Sequence, residues 1–138
     1  MSTTRDASEA VVRRYYAAFN VGDRAGMTAC LSDDFVHDVN EGGRRKGKVL
    51  FAEFMAHMDR CYREELKDIA VTTSADGSRA AAEFVVHGKY LATDEGLPPA
   101  KGQTYVLPAG AFFVIKGGHI ARVTTYYNLK NWTEQVAR

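Results

Sequence analysis

The chain has 138 residues, 46% of them hydrophobic and 25% charged, with a formal net charge of +1. Those figures predict one globular domain over 1–138, long enough to bury a real core. A balance so near neutrality excludes the broad basic field that would hold nucleic acid or an anionic membrane.

Met1-Ser2-Thr3-Thr4-Arg5-Asp6 lacks the apolar core of a signal peptide, and no stretch approaches a membrane span, so a cytoplasmic location is expected. Thr3 or Thr4 can cap a first helix that runs to about Asn20, where Gly22 suits the left-handed position beyond its end. Val11, Tyr15 and Phe19 recur every four residues and form one apolar stripe with a phenol at its centre. Asp23 caps a second, shorter helix through Leu31, closed by Ser32-Asp33-Asp34. Phe35 to Val39 reads as a short strand, and Asn40 to Lys46 as a loop whose Arg44-Arg45-Lys46 run is solvated. A third helix from Lys48 to about Arg63 carries Leu50, Phe54, Met58 and Cys61 on one face.

The period then changes to two. Ile69 and Val71 alternate with polar residues, and Asp76-Gly77 signals a tight hairpin. Ala80 to Leu91 follows as a strand with its apolar face on Ala82, Phe84, Val86, Gly88 and Tyr90. Thr93 to Gly102, with Pro98-Pro99, is a loop. Thr104 to Ile115 and His119 to Leu129 make a last hairpin about Gly117-Gly118. Three helices followed by antiparallel strands predict an α+β fold in which helices cover one face of a curved sheet.

A tyrosine and an aspartate delivered to one apolar core are raw material for acid–base chemistry. Tyr15 needs a partner if its hydroxyl is buried, and Asp38 becomes a general base if its carboxylate faces the interior. His37 precedes Asp38, so in a strand the two point to opposite faces and only one can enter. A register slip of one residue would exchange them. Asn40 shares the parity of Asp38 and is placed to orient a substrate oxygen or a water molecule. His57 tilts partly inward beside Phe54 and Met58, while His87 belongs to the outer face and His119 to a solvent-exposed hairpin. Cys30 and Cys61 read as free thiols in apolar helical contexts. No metal is expected: no histidine pair has i, i+4 spacing, no HExxH occurs and the cysteines are far apart. No phosphate-binding or dinucleotide fingerprint appears, so the chemistry is expected to need no cofactor.

From about Ala10 to Trp132 the chain resembles the nuclear transport factor 2-like superfamily, in its ketosteroid isomerase and SnoaL-like branch. The resemblance rests on Val11-Val12-Arg13-Arg14-Tyr15, Asn20-Val21-Gly22-Asp23, Leu31-Ser32-Asp33-Asp34, His37-Asp38, Gly96-Leu97-Pro98-Pro99-Ala100-Lys101-Gly102 and Gly118-His119-Ile120-Ala121-Arg122. It implies a cone-shaped roll of three N-terminal helices packed on a curved, mainly antiparallel sheet, enclosing one deep pocket for a small apolar organic ligand. It also implies a homodimer through the outer sheet face. Ketosteroid isomerase uses an aspartate base with a tyrosine and a protonated aspartate as oxyanion donors. The resemblance puts the tyrosine on Tyr15 and, after a one-residue deletion before the strand, the base on Asp38. The second donor falls on Gly110, which has no proton to give; this argues against steroid isomerisation proper. The implied activity is cofactor-independent proton transfer beside a carbonyl, or a related cyclisation, dehydration or epoxide opening. Asp38 or His37 is the base and Tyr15 the donor, with Phe54, Met58, Phe84, Val86, Phe112 and Tyr127 as the apolar wall. The same fold also serves as a non-catalytic binding module or a dimerisation domain.

Overall fold

A computed structural model describes residues 4–39 and 42–138. Among them the chain forms α1 (Thr4–Asn20), α2 (Arg24–Ala29), β1 (Leu31–Val39), β2 (Arg44–Lys46), α3 (Lys48–Cys61), β3 (Tyr62–Thr73), β4 (Arg79–Tyr90), β5 (Thr104–Lys116), β6 (His119–Tyr127) and α4 (Leu129–Val136). The strands make one sheet in the order β2-β1-β6-β5-β4-β3. Its pairs are antiparallel except β1 with β6, which run parallel. This is the curved, mainly antiparallel α+β architecture that the sequence predicts.

Local chemistry sets the helix ends. Gly22 takes φ +74° beyond α1, a conformation that costs glycine little. Asp23 caps α2, its side chain accepting from the Gly26 amide at 2.8 Å. At the far end of α1, Ser8 donates from its hydroxyl to the Gly77 carbonyl at 2.5 Å, tying the helix to the β3–β4 turn. Asn20 clamps the other end to β3, donating to the Leu66 carbonyl at 3.0 Å and accepting from the Leu66 amide at 2.8 Å.

Several elements differ from the sequence reading. α2 ends at Ala29, and Leu31 already begins β1, so Ser32-Asp33-Asp34 is strand rather than helix closure. Arg44-Arg45-Lys46 is an edge strand, not a solvated loop; charge is how an edge discourages further pairing. α3 buries Phe51, Met55 and Cys61, while Leu50 is exposed and Phe54 and Met58 are half-buried. That helix is rotated by about one residue from the expected face. A fourth helix, α4, is capped by Asn128 and buries Trp132 and Val136.

The register fixes the inner face of the sheet. His37 stands opposite Val123, Val123 opposite Phe113, and Phe113 opposite Ala80. Ala109 links Tyr127 and Phe84 in the same way, and Leu107 lies opposite Val86. These residues face α1 and α3, whose Val11, Val12, Tyr15, Tyr16 and Phe51 complete one hydrophobic core.

Candidate functional site

His37 is 5% exposed, a rare burial for an ionisable ring. Its imidazole stacks against Phe35 at 6.2 Å between ring centres and meets the edges of Phe51 at 5.6 Å and Phe54 at 4.7 Å. Burial pushes its pKa from 6.5 down to about 4, the positive charge of Arg45 adds to the drop, and Asp38 opposes it. The ring is therefore neutral near pH 7, with a lone pair free but a lowered affinity for the proton. Among the described residues its Nδ1 has no hydrogen-bond partner.

Arg45 is the cross-strand neighbour of His37 in the β1–β2 pair, so both side chains leave the same face. Its guanidinium lies over the Phe54 ring at 5.2 Å, and its Nη1 is likewise buried without a partner. Leaving a buried polar atom unpaired costs about 1–3 kcal/mol; among the described residues Arg122 Nε is unpartnered too, and the two such atoms on cross-strand neighbours make His37 and Arg45 the candidate site.

Asp38 corrects the expectation of an interior carboxylate. It pairs with Thr124 and Arg44 on the outer face. Arg44 donates to it from Nε at 2.8 Å and Nη2 at 3.0 Å, and the Thr124 hydroxyl donates at 3.1 Å. Those bonds, chiefly from Arg44, hold its pKa below the usual carboxylate range. The cause is the period of two: Phe35 and His37 take the inward positions, and Asp38 is left facing out.

Tyr15 does enter the core, with ring contacts to Tyr16 at 5.2 Å, Phe51 at 6.4 Å and Phe113 at 6.3 Å. Burial first, and Cys30 second, raise its hydroxyl pKa well above the ordinary value. Among the described residues no hydrogen bond joins Tyr15 to His37 or Asp38. Phe51 touches both rings and separates them.

The expected wall divides. Phe54 packs between His37 and Arg45; Phe84 and Val86 are buried on the inner face; Tyr127 shares that face opposite Ala109. Met58 is half-buried on α3. Phe112 does not line the interior: it is 51% exposed on the outer face, edge-on to Tyr126 at 5.8 Å. Gly110 also belongs to the outer face, opposite Glu83 and Tyr126, so it does not stand at an interior donor position. Asn40 lies outside the described residues. His57 points to Asp94 in the β4–β5 connection, its Nε2 at 2.9 Å from the carboxylate.

Sequence reasoning passed over two inner-face features. Arg45 was hidden because its strand is three residues long and all charged. Glu64, half-buried on β3, accepts from the Tyr105 hydroxyl at 2.5 Å, and burial raises its carboxyl pKa. A strict parity count along β4 and β5, with Gly88 opposite both residues, finds that pair. Open clefts among the described residues lie elsewhere. One of about 350 Å³ lies between α2 and α3 beside Arg24, Phe51, Met55 and Asp59. Another, about 150 Å³, lies by Ser8, Gly77 and Ile115. Neither is lined by His37 or Arg45.

A curved mixed sheet wrapped by helices is the α+β architecture of nuclear transport factor 2-like proteins. The SnoaL-like domain family matches residues 12–123, and the chain belongs to that family. No curated protein sequence matches it. A solved structure from Pseudomonas putida KT2440, provisionally named a polyketide cyclase, is 62% identical with a TM-score of 0.92, covering 99% of this chain and 100% of that one. One from Xanthomonas campestris pv. campestris, named in the same provisional way, is 52% identical with a TM-score of 0.94, covering 97% and 99%. An LEH-like epoxide hydrolase of M. tuberculosis shares the fold alone, at 16% identity and a TM-score of 0.79 over 100% of this chain and 90% of that one.

Proposed function

We propose that this chain is an acid–base catalyst acting on a small, apolar, enolisable carbonyl compound of polyketide type. His37 is its base, and Arg45 holds the developing oxyanion. The observation that carries this reading is the pair of buried polar atoms on cross-strand neighbours, His37 Nδ1 and Arg45 Nη1, that have no partner among the described residues. The provisional naming of the P. putida relative as a polyketide cyclase supports the substrate class.

The proposed step balances without redox change. Nδ1 takes the proton from the carbon beside a carbonyl, and the C–H electron pair becomes an enolate. The Arg45 guanidinium stabilises the enolate oxygen, the kind of preorganised interaction that usually dominates such catalysis. In a cyclisation the enolate carbon bonds to a second carbonyl carbon of the same molecule. The π pair of that carbonyl moves onto its oxygen, and the resulting alkoxide takes the proton back from the imidazolium. Phe35, Phe51 and Phe54 keep water from the ring, and Tyr15, held protonated, supports Phe51 from behind.

The same reading includes a second copy of the chain on the outer sheet face. Phe112 and Tyr126, 51% and 50% exposed and edge-on to each other, offer an apolar aromatic pair for that contact.

The test uses a panel of polyketide-like β-dicarbonyls and β,γ-unsaturated ketones, with solvent deuterium uptake at the enolisable carbon and product formation as readouts. Wild type turns over at least one of them, and His37→Gln lowers that rate by about 100-fold or more. An unchanged rate in a folded His37→Gln protein sinks the assignment. Tight retention without turnover by wild type makes the chain a binding module instead.

A further inference from the structure

We infer that the end of α3 and the β4–β5 connection form a site for a zinc-class divalent ion, with His57 Nε2, Cys61 Sγ and the Asp94 carboxylate as ligands. The three ligand atoms lie within 4.8 Å of one another. His57 Nε2 is 2.9 Å from Asp94 Oδ1 and 3.9 Å from Cys61 Sγ. A tetrahedral ion with bonds of about 2.0–2.3 Å spaces its ligands roughly 3.3–3.8 Å apart. Small torsional adjustments therefore suffice.

The arrangement has local causes. His57 and Cys61 are four residues apart, so α3 presents both on one face. Asp94 is held from behind: the Tyr62 hydroxyl donates to its Oδ2 at 2.6 Å, and its amide donates to the Tyr90 hydroxyl at 2.9 Å. Tyr62 and Tyr90 stack at 5.5 Å. Such outer partners orient a metal ligand before the ion arrives. The side chains of His57 and Asp94 are 40% and 21% exposed, which leaves an entry path and room for a water in the fourth position. A thiolate, an imidazole and one carboxylate suit Zn²⁺ or Co²⁺ and not Mg²⁺ or Ca²⁺.

A nucleophilic triad does not fit the same residues. Both the thiol and the carboxylate meet Nε2, so the imidazole cannot take a proton from one while being oriented by the other through its second nitrogen. Arg60 approaches His57 Nδ1 at 3.2 Å and has only donors, so without the ion the ring proton sits on Nε2. Metal binding requires the other tautomer. The exposed Arg60 then swings away, and the Cys61 thiol proton leaves to solvent.

The experiment titrates the metal-free, full-length protein with Co²⁺, followed by back-titration with Zn²⁺. One Co²⁺ per chain is expected, with a thiolate-to-cobalt charge-transfer band that Zn²⁺ abolishes. Cys61→Ser loses the band, Cys30→Ser keeps it, and Asp94→Asn weakens binding at least tenfold, since even outer partners cost about 10–100-fold. Arg60→Gln binds as tightly as wild type or more tightly. Absence of a band in folded wild type overturns the inference, as does a band that survives Cys61→Ser or is lost with Cys30→Ser. Should Cys61→Ser not fold, an unweakened Asp94→Asn overturns it as well. None of these outcomes bears on His37 or Arg45.

Discussion

Acidification tests the burial of His37 directly. In the unfolded chain the imidazole titrates near 6.5; in the folded protein burial brings it to about 4. Between those values the unfolded chain binds a proton that the folded one refuses. Stability from this group is therefore complete above about pH 6.5 and is lost as pH falls toward 4. A drop from 6.5 to about 4 corresponds to about 3 kcal/mol, a large share of a typical domain's 5–15 kcal/mol. Glu64 works in the opposite direction, because burial raises its carboxyl above 4.5 and favours the protonated folded form. Comparing wild type with His37→Gln cancels that contribution. Urea unfolding of both proteins at about pH 7.5, 6.5, 5.5 and 4.5 gives the two stability curves. Wild type should lose about 3 kcal/mol relative to the variant on the way down to about pH 4. Parallel curves would mean that the ring is not buried in its neutral form, and the argument for His37 as the base would fall with it.

Other substitutions probe separate links. Arg45→Met keeps the stem over Phe54 and removes the guanidinium; turnover should fall about 100-fold with little change in urea midpoint. Asp38→Asn should leave turnover unchanged and cost no more than about 1 kcal/mol, because its ion pair with Arg44 is partly solvated, the side chains being 23% and 52% exposed. Gly88→Ala would drive a methyl group into the Tyr105 ring, displacing it from Glu64 and Trp132, and should cost about 3 kcal/mol in urea unfolding. Phe112→Glu puts charge into the outer aromatic pair; sedimentation should show monomers where wild type shows dimers, with turnover per chain setting whether pairing matters.

Periodicity and turn chemistry were enough to read most of the scaffold. The α1 stripe, the Asp23 cap, the Asp76-Gly77 turn and the inward face of β4 are all local properties of the chain. So is the α+β order, since three amphipathic helices before a run of alternating strands leave few other ways to bury both patterns. Short or weakly patterned elements were not legible. β2 has three charged residues and no apolar signal, and α4 follows directly on a strand. Without β2, nothing in the sequence brings Arg45 beside His37.

The local pattern showed that either His37 or Asp38 enters the core, but not which. Pairing with β6 and β2 decided it, because a side-chain period of two turns a one-residue choice of register into a choice of face. The rotation of α3 was settled by packing, with Phe51 meeting the rings of Tyr15 on α1 and of Phe35 and His37 on β1. His57 and Asp94 are 37 residues apart and meet only once β3 and β4 have paired and the loop beyond them has been tied down. Sequence fixes what a segment tends to do alone; which ionisable groups lose their water depends on contacts that exist only when the sheet is closed over by its helices.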